Sequence, residues 1–261
     1  MLEIQMLEYI DSHAHYDDDA FDSDRDELLQ RIHADGVKNI VNIGCNMERS
    51  YECAALAKKY PFIYAAVGIH PSDVKDTPAD YLSQLEKLAE NPKVVAIGEI
   101  GLDYHYDDYD RDMQIRFFKE QLDLAEKLGL PVVIHSRNAT EDTMEILRSK
   151  GKVNGVMHCF SGSAETAKQV LELGMNIGFT GVLTFKNAKK AIEALKVIPM
   201  DRLMLETDCP YMAPEPFRGK RCDSSMIIRV IEKVAEVKGI TMEEAAASTS
   251  ENTRRLFFRM K

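Results

Sequence analysis

The sequence contains no tryptophan, and its five cysteines include no Cys-x-x-Cys pair. This usage favours reduced thiols over a disulfide or zinc-finger framework. No Lys or Arg precedes Arg25, and no apolar run approaches the ~18 residues that a membrane span needs. We therefore expect a soluble, cytoplasmic protein that has no membrane partner.

Basic residues are also in deficit, because 33 Lys and Arg oppose 43 Asp and Glu and leave a net charge of −10. This balance excludes a protein that coats nucleic acid by bulk charge, although it permits a local basic patch. Linker-like tracts rich in Gly, Ser or Pro are absent as well. The sequence therefore predicts a single domain over residues 1–261.

What the sequence does contain is a repeated alternation of short apolar segments with segments of helical period. The eight apolar segments cover residues 6–13, 37–44, 62–70, 93–101, 130–136, 153–159, 175–181 and 202–208. Eight strand and helix units of this kind in about 250 residues predict an α/β fold, a (β/α)8 TIM barrel. An open doubly wound sheet is the alternative, and the absence of a Gly-rich phosphate loop after any strand disfavours it.

Helix boundaries carry their own signals. Gly129 ends one amphipathic segment, and Thr241 with Glu244 has the spacing of a capping box. Thr77 followed by Pro78 predicts the start of another helix.

In a barrel the reactive face lies at the carboxyl ends of the strands. Six predicted strands end on residues that bind metals or protons: His13, His15, His70, Glu99, His135, His158 and Asp208. Four of the imidazoles with the two carboxylates match the ligand count of a dinuclear metal site. The pattern therefore predicts a metal centre at the mouth of the barrel.

Strand parity refines this prediction. His13 and His15 lie two residues apart, so both side chains face the barrel interior, and Asp11 faces the same way one layer deeper. There Asp11 could accept an imidazole N–H, and Glu206 has the same deeper placement relative to Asp208. Two other groups are not predicted to bind metal. His33 lies in a helical segment, and residues 17–19 are expected to be solvated acids or the lead-in to a helix.

With these residues in place, the sequence resembles the TatD-like deoxyribonuclease family of the metal-dependent hydrolase superfamily. The resemblance runs over nearly the whole chain. It rests on DSHAH (11–15), GIHP (68–71), GEIGLDY (98–104), PVVIHSR (131–137), HCFSG (158–162), LETDCPY (205–211), RGKR (218–221) and NTRRLF (252–257).

The resemblance implies two divalent metal ions, with Mg²⁺, Mn²⁺ and Zn²⁺ left open. One ion would be held by His13, His15, Glu99 and Asp208, and the other by Glu99, His135 and His158. The resemblance also implies hydrolysis of DNA phosphodiester bonds, with Asp208 and Glu99 as catalytic carboxylates. Residues 1–5 would be an extension ahead of the first strand.

For the chemistry, we expect the two cations to activate water for attack on phosphorus, with Asp208 orienting or deprotonating it. The substrate would be DNA, bound at chain ends or as single strands. The predicted contacts to them are His70, Arg137, Arg218, Lys220 and Arg221. The oligomeric state stays open.

One segment departs from the family pattern. After RGKR the family usually continues with Asn, an acid and Pro, whereas this chain has Cys222, Asp223 and Ser224. We expect this departure to affect the cleft rim and to leave the metal site unchanged.

Two other functions use the same residues. An amidohydrolase or lactonase would direct the two ions at a carbonyl group, although the cationic loop favours phosphate. A non-catalytic metal-containing nucleotide-binding protein is a third possibility, against which the intact Asp208 counts.

Overall fold

The computed structural model describes residues 7–261, in which eight parallel strands form one sheet ordered as they occur in the chain. The strands are β1 (Tyr9–Ala14), β2 (Val37–Ile43), β3 (Ile63–Val67), β4 (Val94–Asp103), β5 (Val132–Arg137), β6 (Gly155–Met157), β7 (Asn176–Phe179) and β8 (Leu203–Leu205). Each predicted strand is present, and the predicted barrel is confirmed. The predicted extension at residues 1–5 lies outside the described residues.

Helices separate consecutive strands and pack against the outside of the sheet. They are α1 (Arg25–Ala34), α2 (Met47–Lys59), α3 (Tyr81–Leu88), α4 (Arg111–Leu128), α5 (Thr140–Lys150), α6 (Ala164–Glu172), α7 (Lys189–Val197), α8 (Ile227–Lys238) and α9 (Met242–Leu256). Within residues 7–261, no helix combines the length and the apolar character needed to cross a membrane.

The helix signals have different outcomes. Gly129 ends α4 in the left-handed conformation, and the Thr241–Glu244 capping box begins α9, as predicted. The prediction at Thr77 is wrong, because α3 begins at Tyr81 and a short 3-10 helix occupies Pro71–Asp76 instead.

The carboxyl terminus closes the barrel at the end opposite the mouth. Arg259 donates to the carbonyl of Val94 at the start of β4, at 2.7 Å. Phe257 and Met260 belong to the buried apolar cluster that includes Val95. One end of the barrel is therefore filled by apolar side chains, which leaves the other end for polar groups.

The barrel closes between β1 and β8 by a short seam. The backbone N–H of Asp208 donates to the carbonyl of His13 at 2.9 Å, and the N–H of His15 donates to the carbonyl of Cys209 at 2.8 Å. The seam thus ties two predicted metal-binding segments directly to each other.

The buried carboxylate of Asp11 reinforces the seam. It accepts hydrogen bonds from the Thr207 hydroxyl at 2.5 Å, the Ser224 hydroxyl at 2.6 Å and the backbone N–H of His13 at 3.2 Å. Burial raises the pKa of Asp11 to about 7, although these hydrogen bonds oppose the shift. Asp11 therefore supports the backbone of His13, and the prediction that it holds an imidazole N–H is wrong.

The departure from the family pattern reaches this buried network. Ser224 is fully buried and also hydrogen bonds to the hydroxyl of Tyr16, at 2.8 Å. We expected residues 222–224 to affect the cleft rim; the structure adds that the Ser224 side chain turns inward beneath β1. The hydrogen bond from Ser224 to Asp11 joins residues that are 213 positions apart in the sequence.

Gly101 shows how tightly β4 and β5 approach each other beneath the mouth. Its φ of +146° favours glycine, and a Cβ atom there would clash with the carbonyl oxygen of His135. Gly129 also has a positive φ, of +64°, but no atom lies within 4 Å of the position of its Cβ.

We expect Gly101→Ala to lower the free energy of unfolding by more than about 3 kcal/mol, because it combines backbone strain with a clash. Gly129→Ala is the matched control and should cost about 1 kcal/mol, from backbone strain alone. Urea unfolding of both variants measures the difference. Equal losses would contradict the close approach at Gly101.

Replacing Ser224 by Ala removes one donor from the buried Asp11 carboxylate. We expect the free energy of unfolding to fall by about 1–3 kcal/mol, the cost of an unmade buried hydrogen bond. Ser23→Ala removes an exposed hydroxyl and should change stability by less than about 0.5 kcal/mol. A Ser224→Ala variant as stable as the wild type would show that Ser224 does not support Asp11.

Candidate metal centre

Two imidazoles and two carboxylates converge at the mouth of the barrel. Nε2 of His13 lies 3.1 Å from Nε2 of His15, 3.4 Å from Oε2 of Glu99 and 3.6 Å from Oδ1 of Asp208. The side chains come from the end of β1, the middle of β4 and the segment after β8. Residues distant in the sequence therefore present their donor atoms to one point.

These spacings fit a metal ion. Ligand atoms about 2.0–2.2 Å from one tetrahedral ion lie about 3.3–3.6 Å from each other. Two Nε2 atoms that face each other beside carboxylates, all largely buried, are the donor chemistry of a transition-metal site. The residues present therefore fit the metal that their pattern predicts.

A second group of donors surrounds the other oxygen of Glu99. Oε1 lies 2.7 Å from Nδ1 of His135, 3.2 Å from Nε2 of His158 and 3.9 Å from Nε2 of His70. The two oxygens of Glu99 therefore face different imidazoles, and the residue belongs to two groups of potential metal ligands. His70, predicted as a phosphate contact, lies close enough to belong to this group.

Hydrogen bonds behind the imidazoles orient them. Nδ1 of His15 lies 2.8 Å from the carbonyl of Ile43, and Nδ1 of His158 lies 3.1 Å from Oε1 of Glu206. Donation of Nδ1–H to these oxygens fixes the two rings so that Nε2 points into the mouth, where release of its proton would present a lone pair to a metal. Glu206, predicted to lie deeper than Asp208, supports His158 from below.

His13 differs from its neighbours. Its Nδ1 atom is buried and finds no hydrogen-bond partner among the residues that the structure describes. Its ring stacks on that of His158 with 3.7 Å between centroids. On the Nδ1 side, packing rather than hydrogen bonding therefore holds the ring, whereas Nε2 faces His15 and Glu99.

Asp103 is a site residue that sequence reasoning missed. Its Oδ2 lies 3.1 Å from Nε2 of His135 and 4.0 Å from Nη1 of Arg137. The predicted strand ended at Gly101, whereas β4 continues to Asp103. The sequence signal that could have identified Asp103 is strand parity, because residues 99, 101 and 103 lie on the same face of a continuous strand.

The two carboxylates of the metal centre are ionised. Burial would raise the pKa of Glu99, but the neighbouring His158 and His13 outweigh it and hold the pKa well below its usual range. Asp208 behaves in the same way, because burial is outweighed by a hydrogen bond to His15 and by nearby imidazoles. Two buried negative charges therefore attract cations to the mouth.

Two of the imidazoles are held neutral. Burial lowers the pKa of His13, and the positive charge of His158 acts in the same direction. Burial together with His135 lowers the pKa of His70 to about 3. Neutral imidazoles present the lone pairs that a metal requires.

The predicted cationic contacts lie around the rim in different environments. Arg137 is exposed near Asp103, Arg218 lies over the ring of Phe185, and Lys220 is exposed near Phe217.

Arg221 is engaged elsewhere. It forms a two-pronged ion pair with Asp24, at 2.6 and 2.8 Å. This pair occupies its guanidinium and favours a structural role for Arg221.

A polar cavity of about 160 Å³ adjoins His158 on the outer side of β5 and β6. Its lining includes Asn138, Ser161, Thr166 and Lys190. Cys159 also faces it, and burial raises the pKa of this thiol to about 12, so the sulfur is protonated. The cavity extends the site beyond the imidazoles.

The acids after β1 lie outside the cluster, although one prediction about them is wrong. Asp17 is buried and accepts a 2.6 Å hydrogen bond from Nδ2 of Asn42, so it is not solvated. Asp18 and Asp19 are at least partly exposed, and Asp18 caps a short 3-10 helix. His33 lies in α1, as predicted, and stacks on Phe62.

Comparison with known proteins places the site in a family. The family model described as "TatD related DNase" matches residues 10–258. The uncharacterized metal-dependent hydrolase YabD of Bacillus subtilis (strain 168) is 45% identical over 249 residues, 95% of this chain and 98% of that protein. The 3'-5' ssDNA/RNA exonuclease TatD of Erwinia tasmaniensis is 35% identical over 246 residues, 91% of this chain and 95% of that protein.

A solved structure agrees with these sequence matches. The crystal structure of YjjV, a TatD homolog from Escherichia coli K12, matches with a TM-score of 0.92 and 34% identity, covering 97% of this chain and 99% of that one. The family resemblance predicted from the motifs is confirmed, and the chain belongs to the TatD family of metal-dependent hydrolases.

Proposed function

We propose that this protein hydrolyses phosphodiester bonds of DNA, removing nucleotides from chain ends with the help of two divalent metal ions. The observation that carries the proposal is the position of Glu99, whose two oxygens face separate groups of imidazoles. The name of the Erwinia relative, an exonuclease acting on single strands, supports the substrate class.

In this proposal His13, His15, Glu99 and Asp208 hold one ion, and Glu99, His135 and His158 hold the other. When bound, such ions lower the pKa of water and neutralise charge on the phosphate oxygens. Mg²⁺, Mn²⁺ and Zn²⁺ all remain candidates, although the imidazole-rich donors favour Mn²⁺ and Zn²⁺ over Mg²⁺.

Exposure assigns different tasks to the two carboxylates. The Asp208 side chain exposes 13% of its surface and that of Glu99 exposes 4%, so Asp208 is the one that solvent reaches. Its depressed pKa keeps it ionised and able to accept a proton from a water molecule. We therefore assign Asp208 as general base and Glu99 as the bridging ligand.

Binding of the substrate falls to a small number of cations. Arg137 lies next to Asp103, and its guanidinium is exposed enough to reach a phosphate. Arg218 and Lys220 would contact phosphates further along the rim, and His70 lies beside Glu99. Because few cations surround the mouth and the net charge is −10, affinity for long nucleic acid should be weak.

We expect Asp208→Asn to reduce DNA hydrolysis at least about 100-fold, the usual contribution of a general base. The assay incubates metal-free protein with end-labelled single- and double-stranded oligonucleotides and adds Mg²⁺, Mn²⁺ or Zn²⁺ in turn. Asp201→Asn, an exposed acid outside the mouth, is the control and should cleave like the wild type. The proposal would be overturned if the wild type cleaved no oligonucleotide with any of the three metals, or if Asp208→Asn cleaved as fast as the wild type.

Glu99→Gln keeps the shape of the proposed bridge and removes its charge. We expect titration calorimetry with Zn²⁺ to show the loss of at least one binding event. Glu206→Gln perturbs the support behind His158 without removing a proposed ligand, and it should weaken binding by a smaller factor, about 10- to 100-fold. Unchanged Zn²⁺ binding by folded Glu99→Gln would contradict the bridging role.

A further inference from the structure

The segment between β4 and α4 presents an aromatic side chain to solvent at the mouth. Tyr106 exposes 57% of its surface, and the guanidinium carbon of Arg137 lies 5.5 Å from the centre of its ring. A guanidinium over a tyrosine ring helps to hold the ring in place. The His105 ring makes an edge contact with Tyr106 at 4.9 Å between centroids, and more than half of the tyrosine surface stays open to solvent. Tyr106 thus differs from an apolar side chain covered by neighbours.

Tyr106 connects to the metal centre by a short series of contacts. Arg137 lies 4.0 Å from Asp103, whose carboxylate lies 3.1 Å from His135, which in turn lies 2.7 Å from Glu99. Two side chains, Arg137 and Asp103, therefore separate the tyrosine from the proposed ligand His135.

The segment that carries Tyr106 is braced by its neighbours. Tyr104 stacks on Tyr109 with 4.6 Å between ring centres, and its hydroxyl donates to Asp142 at 2.6 Å. The backbone N–H of His105 donates to Asp103 at 2.9 Å. A ring held on a braced segment loses little conformational entropy when it stacks on a ligand.

The charge around Tyr106 selects what can lie on it. The next two residues, Asp107 and Asp108, are exposed acids that repel phosphate. A nucleobase is neutral and offers a flat face, so it avoids that repulsion while its phosphate lies towards Arg137. Stacking of this kind is also tolerant of sequence, because every base has such a face.

We propose that Tyr106, backed by Arg137, is a stacking platform for a nucleobase of single-stranded DNA or RNA, next to the phosphate at the metal centre. This inference rests on the proposed function. It assigns the ring a task in binding the substrate rather than in bond cleavage.

The test compares two single-stranded oligonucleotides that have identical phosphates, one of them with abasic sugars at its terminal positions. We expect Tyr106→Ala to raise KM about tenfold for the oligonucleotide with bases, the usual effect of losing one stacked base. For the abasic oligonucleotide, the KM of Tyr106→Ala should equal the KM of the wild type. Tyr106→Phe keeps the ring and should restore the wild-type KM.

Tyr51→Ala is the matched control, because Tyr51 is a comparably exposed tyrosine on the outer helix α2. It should leave both KM values unchanged. A Tyr106→Ala variant that behaves like the wild type on both oligonucleotides would overturn the inference. Equal losses on both would overturn it as well, because they would indicate damage to the metal centre.

Equilibrium binding separates failure of this inference from failure of the proposed function. The fluorescence of an oligonucleotide with a terminal 2-aminopurine should fall when it binds to the wild type or to Tyr106→Phe. The fall in fluorescence should be much smaller when it binds to Tyr106→Ala. Quenching without cleavage by the wild type would refute the nuclease and keep the platform. Cleavage with quenching that does not depend on Tyr106 would refute the platform alone, and the absence of both would refute both.

Discussion

The site depends on the buried carboxylate of Glu99, which lies among four imidazoles that come from β1, β3, β5 and β6 or the residues that follow them. A charge placed there without partners would cost several kcal/mol. The charge of His158, together with hydrogen bonds from His13 and His135, outweighs that cost. Because the same imidazoles offer lone pairs to a cation, the interactions that make Glu99 tolerable also prepare the centre for metal.

Support for this arrangement comes from backbone contacts as much as from side chains. The seam between β1 and β8 joins the backbone of His13 to that of Asp208, and Asp11 anchors the same backbone from beneath. A shift of the barrel seam would therefore move proposed ligands from two strands together. This coupling explains why buried polar residues are concentrated below the mouth, although apolar side chains would otherwise fill a barrel.

Much of this could be predicted from the sequence, for reasons that the residues make clear. Strand parity alone placed His13 and His15 on one face, and the rule that strand ends converge brought Glu99 and Asp208 to them. Asp103 was missed because the length of β4 depends on its pairing with β5, and parity places Asp103 on the face of Glu99 only once that length is known.

The remaining differences also reflect tertiary contacts. Ser224 reaches Asp11 across 213 residues, and Asp17 is buried because Asn42 offers it a hydrogen bond. Both side chains are polar, so sequence reasoning placed them at the surface, whereas a distant partner makes burial possible. The pairing of Arg221 with Asp24 has the same origin.

The central claim, that these side chains form a dinuclear metal centre, is tested most directly by X-ray diffraction from zinc-soaked crystals at the zinc absorption edge. The account predicts two anomalous peaks at the mouth, one about 2.0–2.1 Å from Nε2 of His13 and of His15, the other beside His135 and His158, with Glu99 between them. A mouth without zinc, or zinc bound only at other residues, would contradict it.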